Sequence, residues 1–399
     1  MIHASYYRPK VFPVLMDGAP VEIDRLQEMS STTTLNRTKI REIGRDGIVD
    51  WKKSIPTVSL TLRQYEYGTL EFWRQLTNKG ASVDTITFAD FKTPQVDVAG
   101  YKTDDGGTFL GTVLYKGLRT SGFSVNFADP DAIIERSFTL VGEDEMLFLN
   151  ANKYLIYKRN VIAAGLNQSV TLSDPTPVAD PDNSGQYLLR VTRSRAGVTT
   201  ELTAGTEWSC TGATLTINGT SSADDVIRAW YTAGAYITGV EPFVNNDVDV
   251  GGISTDSVSI YLQSSNYLYR LQSANIDVSF DRQDIKEIGN KDVVSRGIRE
   301  TTTKVTLGRI LEQYTIEEIL RGVAGLSYGK IDVREFSDGL NLIVKIYSDN
   351  DKTTFKIGYK LMNLAPVGDD AGNTVNDYIT RGVTLEGDQG LITNVANLL

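Results

Sequence analysis

The chain is poor in the residues on which many catalytic and metal sites depend. Its 399 residues include one cysteine, Cys210, and one histidine, His3. A single cysteine excludes an intramolecular disulfide and a cysteine-based zinc site. With one histidine near an end of the chain, residues 4–399 cannot supply a Ser/His/Asp or Cys/His arrangement. We therefore expect no catalytic residues, no metal and no cofactor.

Excess positive charge and long apolar runs are also missing. The net charge is −10, and both signs are spread along the whole chain. Without a basic segment, the release of counterions cannot drive tight binding to nucleic acid. No apolar run approaches the roughly 18 residues of a membrane helix, and the first eight residues lack a secretory pattern. We expect no membrane segment and no specific binding of DNA.

What the chain does contain is a long-range internal repeat. Arg25–Gln27 recurs as Arg270–Gln272, and Ile40–Gly44 recurs as Ile285–Gly289 with one Arg-to-Lys change. The offset is 245 residues in both cases, and 8 of the 20 positions in 25–44 are identical in the second segment. The same offset relates 136–142 to 381–387. The sequence therefore predicts two copies of one domain, at about 20–148 and 265–395.

Side-chain alternation predicts that both copies are mainly β. Polar and apolar residues alternate with period two in 57–62 and 137–141, and again in 303–307 and 382–385. This period is typical of strands with one solvent-exposed face.

One helix is predicted within each copy. In the second copy, Thr315 and Glu318 form a capping box, and Gly322 ends the helix. In the first copy, Thr69 is the expected cap and Gly80 the expected end.

A polar stretch separates two strand-like runs in each copy, at 45–54 and 290–299. We interpret these as the tips of hairpins spanning roughly 37–58 and 282–303. A projecting hairpin has unpaired edges unless another chain pairs with it, so we predict contacts between subunits or rings here. The alternative is a solvated surface loop. The candidate assembly residues are Ile40, Glu42, Ile43, Gly44, Trp51, Ile285, Glu287, Ile288, Gly289 and Arg296.

The middle of the chain, 149–262, matches neither copy. A turn-rich segment at 174–185 precedes β-like runs at 187–192, 214–217 and 226–231. We predict an inserted accessory β domain, so the expected domains are 1–148, 149–262 and 263–399.

The order of these features, found twice, resembles the tail tube proteins of tailed bacteriophages. The features are the strand carrying Ile-Arg/Lys-Glu-Ile-Gly, the polar hairpin, a Thr-x-Leu strand, one helix and a late strand ending at 142–144 or 387–388. The resemblance covers about two thirds of the chain. It implies a mainly β fold with two tandem tail-tube-type β-barrel or β-sandwich domains. Each would contain one α-helix, and the inserted domain would be a β-sandwich.

The resemblance also implies a function and partners. Tube domains close into rings of about six, the rings stack through their hairpins, and DNA passes through the channel without specific binding. Two domains in one chain imply trimeric, pseudo-hexameric rings. The expected partners are further copies of the chain, a tape measure protein, a tail terminator, and baseplate or distal tail proteins, with a sheath as an open alternative. The expected location is the virion tail, after synthesis in the host cytoplasm.

Two other classes of function remain open. One is an adhesive or carbohydrate-binding β protein of a virion, with 149–262 as the binding module. The other is a ring component that does not polymerise, such as a tail terminator or an injection-system tube protein. Catalysis by paired carboxylates needs only two acids, but Glu42 and Glu287 occupy equivalent positions of separate copies. We therefore interpret them as structural.

Overall fold

A computed structural model describes most of the chain. The described residues are 6–13, 21–23, 25–35, 37–43, 46–53, 56–103, 109–129, 131–142, 144–148, 154–172, 176–179, 188–195, 198–235, 252–263, 266–269, 271–286, 293–310, 315–321, 333–372 and 380–398.

Strands dominate the first copy, with one short helix, α1 (Glu71–Thr77), and one 3-10 turn at Phe88–Phe91. The strands are β1 (Tyr6–Pro13), β2 (Val21–Glu22), β3 (Leu26–Thr34), β4 (Arg37–Ile40), β5 (Asp50–Lys53), β6 (Thr57–Tyr65), β7 (Thr85–Thr87), β8 (Val96–Thr103), β9 (Phe109–Phe127), β10 (Glu135–Gly142) and β11 (Asp144–Phe148).

The insert is built from strands. They are β12 (Tyr154–Ile162), β13 (Gly165–Leu166), β14 (Ser169–Thr171), β15 (Leu188–Arg195), β16 (Val198–Glu201), β17 (Trp208–Thr211), β18 (Thr214–Ile217), β19 (Thr220–Ser221) and β20 (Asp225–Ala233).

The second copy again combines strands with one short helix, α2 (Thr315–Arg321), and has 3-10 turns at Thr255–Ser257 and Val333–Glu335. The strands are β21 (Val258–Leu262), β22 (Asn266–Tyr267), β23 (Leu271–Lys286), β24 (Val293–Ile310), β25 (Leu340–Tyr347), β26 (Phe355–Gly372), β27 (Thr380–Gly387) and β28 (Gln389–Thr393). The mainly β fold class is confirmed.

The chain divides into two units that differ from the expected domains. Unit 1 comprises 1–23, 95–118 and 142–248, and unit 2 comprises 24–94, 119–141 and 249–399. Unit 2 therefore contains parts of both copies. Strand β21 lies within the expected insert 149–262 but pairs with β25 of the second copy.

Unit 2 contains a sheet built from four strands of each copy, here called the main sheet. Its order within the described residues is β3, β6, β10, β9, β23, β24, β27, β26. Trp73 of α1 lies 4.8 Å from both Phe123 and Phe138 between ring centroids, and 6.2 Å from Tyr359. The helix of the first copy thus packs against strands of both copies.

A second sheet of unit 2 has the order β22, β21, β25, β26, β28, β7. Strand β26 is long enough to belong to both sheets: Phe355–Leu364 pairs with β25, and Ala365–Gly372 pairs with β27.

Unit 1 contains a sheet of β2, β1, β8, β9 and β11, and the insert packs against it. Ala99 and Leu114 of this sheet are buried against Leu155, Tyr157 and Trp230 of the insert. Every residue of β20 is buried, because this strand also packs on the insert's own core. That core lies between the sheet β12-β20-β15-β16 and the short strands β14, β18 and β17. The insert is therefore one layer of a packed unit.

The strands of the second copy follow the repeat offset. Strands β3 and β23, β10 and β27, and β11 and β28 each begin 245 residues apart. The offset along β26 is one residue larger. The left-handed residues Gly117 in β9 (φ 64°) and Asn363 in β26 (φ 59°) are 246 residues apart.

The pairing of β26 requires the same offset of 246. Glu135 of β10 pairs with Asn126 of β9, whereas Thr380 of β27 pairs with Gly372 of β26. One additional residue in the second copy therefore shifts β26 along its neighbour, and positions in β9 correspond to positions in β26 at 246.

The two helices form where the sequence predicts them, but the caps of α1 differ. Leu70, not Thr69, is the residue before the helix, and no side chain caps it. Asn78, not Gly80, ends the helix in the left-handed conformation, with its N–H donating to carbonyls of the last turn. Asparagine tolerates this conformation, so the end comes two residues early. The expected end of α2, Gly322, lies outside the described residues.

Candidate assembly edges

The two copies are joined inside the main sheet by one antiparallel strand pair, here called the joint. Six residue pairs connect β9 to β23, from Ala274 opposite Phe127 to Ser279 opposite Gly122. Strand β9 is the last strand of its copy in the sheet order, and β23 is the first strand of the next copy. The joint is therefore head to tail, using different surfaces of the two copies.

A glycine allows close approach at the joint. A Cβ placed on Gly122 would lie 2.7 Å from the backbone oxygen of Val278 in β23. Backbone cannot yield as a flexible side chain can, so any larger residue at 122 would force the two strands apart.

An arginine of the second copy binds the backbone of the first copy across the joint. Arg282 donates from Nε to the carbonyl of Thr120 at 2.6 Å and from Nη2 to the carbonyl of Phe91 at 2.7 Å. A third hydrogen bond runs from Nη1 to the carbonyl of Lys92 at 3.2 Å. These charge-assisted bonds fix the lateral position of β23 against β9.

A buried polar cluster also spans the joint. Arg136 donates from Nη1 to both carboxylate oxygens of Glu66 at 3.2 Å, and Tyr359 of the second copy donates to Glu66 Oε2 at 2.9 Å. Burial raises the pKa of Tyr359 well above its ordinary value, and the charge of Glu66 adds to the rise. Burial opposes the charge on Arg136, but Glu66 outweighs this effect, so the pKa of Arg136 is raised. The hydroxyl and the guanidinium therefore stay protonated.

The outer edges of the main sheet are formed by the counterparts of the joined strands. Strand β3 corresponds to β23, and the second half of β26 corresponds to the second half of β9. Within the described residues, β3 pairs with β6 alone and Ala365–Gly372 pairs with β27 alone. Strand β3 is exposed from Ser30 to Thr34, and Val367 is 55% exposed. Each chain thus presents both surfaces from which its own joint is built.

The structure shows the first hairpin and places its candidate residues at the surface. Strands β4 and β5 pair from Arg37 opposite Lys53 to Ile40 opposite Asp50. The predicted residues Ile40, Glu42, Ile43 and Trp51 are all exposed, and Ile43 is fully so. Gly44 lies outside the described residues. An assembly role for this hairpin stays a prediction.

The second hairpin is also present as a strand pair. Strands β23 and β24 pair as far as Lys286 opposite Val293, which includes Ile285 opposite Ser295 and Arg296 opposite Asp284. Glu287, Ile288 and Gly289 lie outside the described residues, so their predicted role is not tested.

Sequence reasoning did not identify the residues that hold the joint. Arg282 is identical to its counterpart Arg37, and this identity was a usable signal. Gly122 gave no such signal, because the extra residue in the second copy places its counterpart at 368, outside the common register.

Other kinds of site are missing from the described part of the chain. No cluster of three or more His, Cys, Asp or Glu side chains there could hold a metal ion. No helix there is long and apolar enough to cross a membrane. Burial raises the pKa of the Cys210 thiol to about 11, which keeps it protonated and unreactive at neutral pH.

Comparisons with known proteins find one weak structural likeness to describe. No family model and no curated protein matches the chain. A chain of the sheath–tube complex of an extracellular contractile injection system, PVC, in its extended state matches with a TM-score of 0.28 and 15% identity. The match covers 37% of this chain and 95% of that chain. A likeness of this size fixes neither the fold nor the function.

Proposed function

We propose that this protein is a structural, non-enzymatic component of a tail-like tube, and that it assembles with further copies of itself. The observation that carries the proposal is the joint. One chain contains a head-to-tail strand pair and also presents, at its two outer edges, the counterparts of both paired strands.

Repetition of the joint between chains would continue the main sheet without limit or close it into a ring. Head-to-tail contacts form rings when the rotation between successive units closes, and open assemblies otherwise. Closure would also remove the exposed outer edges, which are a liability in an isolated sheet. We therefore favour a closed ring, with rings stacked into a tube by the projecting hairpins.

The charge of the chain suits a conduit for DNA. A net charge of −10 gives phosphates no basic surface to bind, so a strand of DNA can move past without being held. We accordingly propose that the tube serves DNA passage from a virion. Its ends would contact the tape measure, terminator and baseplate or distal tail proteins that the sequence resemblance implies.

A concentration series of the purified full-length chain tests this function. Sedimentation velocity reports association, and negative-stain microscopy shows what forms. We expect tubes above a threshold concentration. Single rings at every concentration would favour the ring component that does not polymerise. Monomers throughout would overturn self-assembly and leave the adhesive β protein as the better interpretation.

A further inference from the structure

The repeat assigns a counterpart to the arginine that holds the joint. Arg282 follows the joined part of β23, and the residue 245 positions earlier is Arg37, at the start of β4 after β3. All four residues of β4 are exposed. The chain thus carries a second copy of this arginine beside the outer edge of β3.

The repeat also assigns counterparts to the carbonyls that Arg282 binds. Phe91 and Lys92 follow a 3-10 turn at Phe88–Phe91, and their counterparts Phe336 and Ser337 follow the 3-10 turn at Val333–Glu335. Thr120 of β9 corresponds to Pro366 of β26 at the offset of 246, and proline retains its carbonyl acceptor. These positions belong to the second copy, whose outer edge is β26.

A glycine beside these carbonyls has no explanation within one chain. Gly368 is the counterpart of Gly122, at the offset of 246. A Cβ at 368 would make only ordinary contacts with the side chain of Thr384, at 3.5 Å and beyond, whereas a Cβ at 122 would collide with β23. Glycine in a strand costs stability relative to other residues. Close approach of another strand gives a reason for glycine at 368.

We propose that Arg37 of one chain binds the backbone carbonyls of Phe336, Ser337 and Pro366 in a second copy of the same chain, where Gly368 admits β3. This inference rests on the proposed self-assembly and names the residues that select the partner. The register follows from the joint: Ser30 opposite Gly372, Thr32 opposite Asp370 and Thr34 opposite Gly368. The occupant is a second copy because the joint shows the same surfaces paired within the chain.

Two substitutions test the clamp from its two sides. Arg37→Ala should leave the melting temperature of the monomer unchanged, because the side chain is exposed. It should weaken association by about 10- to 100-fold, since hydrogen bonds from a charged donor are lost. Gly368→Val should weaken association similarly, because a branched side chain would hold β3 away. Sedimentation velocity at several concentrations measures both effects.

Arg41→Ala is the matched control, because it removes the same charge from an exposed position of the same hairpin. We expect association close to that of the wild type. Equal losses for Arg37→Ala and Arg41→Ala would overturn the clamp in favour of a general charge effect. Normal association of both Arg37→Ala and Gly368→Val would overturn this inference and leave the proposed function standing. A wild-type chain that never associates would overturn the proposed function itself.

Discussion

At the scale of single residues, the joint depends on a charge buried between the two copies. Glu66 accepts hydrogen bonds from Arg136 and Tyr359, and also from the backbone N–H of Gly68 at 2.8 Å. Arg136 and Glu66 are both fully buried. A buried ion pair contributes little net stability over an apolar pair, but removal of one partner leaves an uncompensated charge.

The first prediction concerns this pair. Glu66→Gln should lower the free energy of unfolding by about 3–5 kcal/mol, because Arg136 stays buried without its counter-charge. Tyr359→Phe is the milder comparison, and should cost about 1 kcal/mol because one hydrogen bond is lost while the ion pair remains. Urea denaturation of the monomer measures both values. Equal costs for the two variants would contradict the assigned role of the charge.

The second prediction concerns pH and Asp225 of the insert. Arg195 donates to both carboxylate oxygens, from Nε at 2.8 Å and from Nη2 at 2.6 Å, and the backbone N–H of Ser222 donates at 3.0 Å. The hydrogen bonds from Arg195 are the largest cause of a lowered pKa of Asp225, with burial acting in the opposite direction. A lowered folded-state pKa gives stability that is complete above the unfolded pKa of about 3.9. That stability is lost as the pH falls through the folded pKa.

Asp225→Asn should therefore lower the melting temperature at pH 7, and its difference from the wild type should shrink below about pH 4. Thermal melts at a series of pH values measure the difference. Asp224→Asn at the neighbouring exposed position is the control, and should match the wild type throughout. A difference that persists undiminished at low pH would show that the carboxylate charge is not the cause.

Sequence pattern could show the identical pair Arg37 and Arg282, but not what either one binds. The carbonyl acceptors of Arg282 lie roughly 160 to 190 positions away in the chain, and backbone acceptors leave no mark in a sequence. The buried Glu66 was equally hidden, since an isolated acidic residue after a strand is usually solvated.

At the scale of elements, the hairpins were predictable and the insert packing was not. Period-two alternation on both sides of a polar stretch is a local signal, and β4, β5, β23 and β24 form there. The burial of Ala99 and Leu114 beneath the insert depends on contacts between distant segments. Strand β1 also escaped the predicted copy, which began near residue 20, because the loop after β1 differs in length from its counterpart and breaks the common offset.

The third prediction concerns the tip of the first hairpin. Replacing residues 41–49 by Asn-Gly would join Ile40 to Asp50 through a two-residue turn suited to antiparallel strands. The described residues of this segment are exposed, so the melting temperature should not change. Loss of the fully exposed Ile43 should abolish the stacking of rings, leaving single rings in negative-stain images. Ile43→Ser in the full-length hairpin tests how much of the effect one side chain carries. Tubes of normal length from the shortened variant would make the tip an ordinary surface loop.

At the scale of the whole molecule, the sequence repeat predicted two copies, while the units cut across them. The expected boundaries at 148 and 262 follow the repeat, but the joint places strands of both copies in one sheet. A repeat reveals which segments are alike, and says nothing about which surfaces of them meet. The head-to-tail relation therefore had to come from the structure.

Two copies in one chain also make its contacts unequal. Inside the chain, Glu66 and Tyr359 form a hydrogen bond across the joint. Their counterparts are Leu311, at the offset of 245, and Val113, at the offset of 246, which cannot form such a bond. The contact within a chain and the contact between chains are therefore different, and a ring of these chains has threefold symmetry with a pseudo-sixfold appearance.

The last prediction is that three chains close one ring. The resemblance implies rings of about six domains, and fusion makes every second contact intramolecular, which raises its effective concentration. Thr32→Cys and Asp370→Cys on a Cys210→Ser background place one cysteine at each outer edge, at positions that face each other when the joint is repeated between chains. Oxidation should produce a ladder that ends at three covalently linked chains, because a closed ring has no edge left to extend. Single-cysteine variants should remain uncross-linked. A ladder that continues past three chains would refute the trimer, whereas no cross-linking in assembled tubes would refute the pairing of β3 with β26.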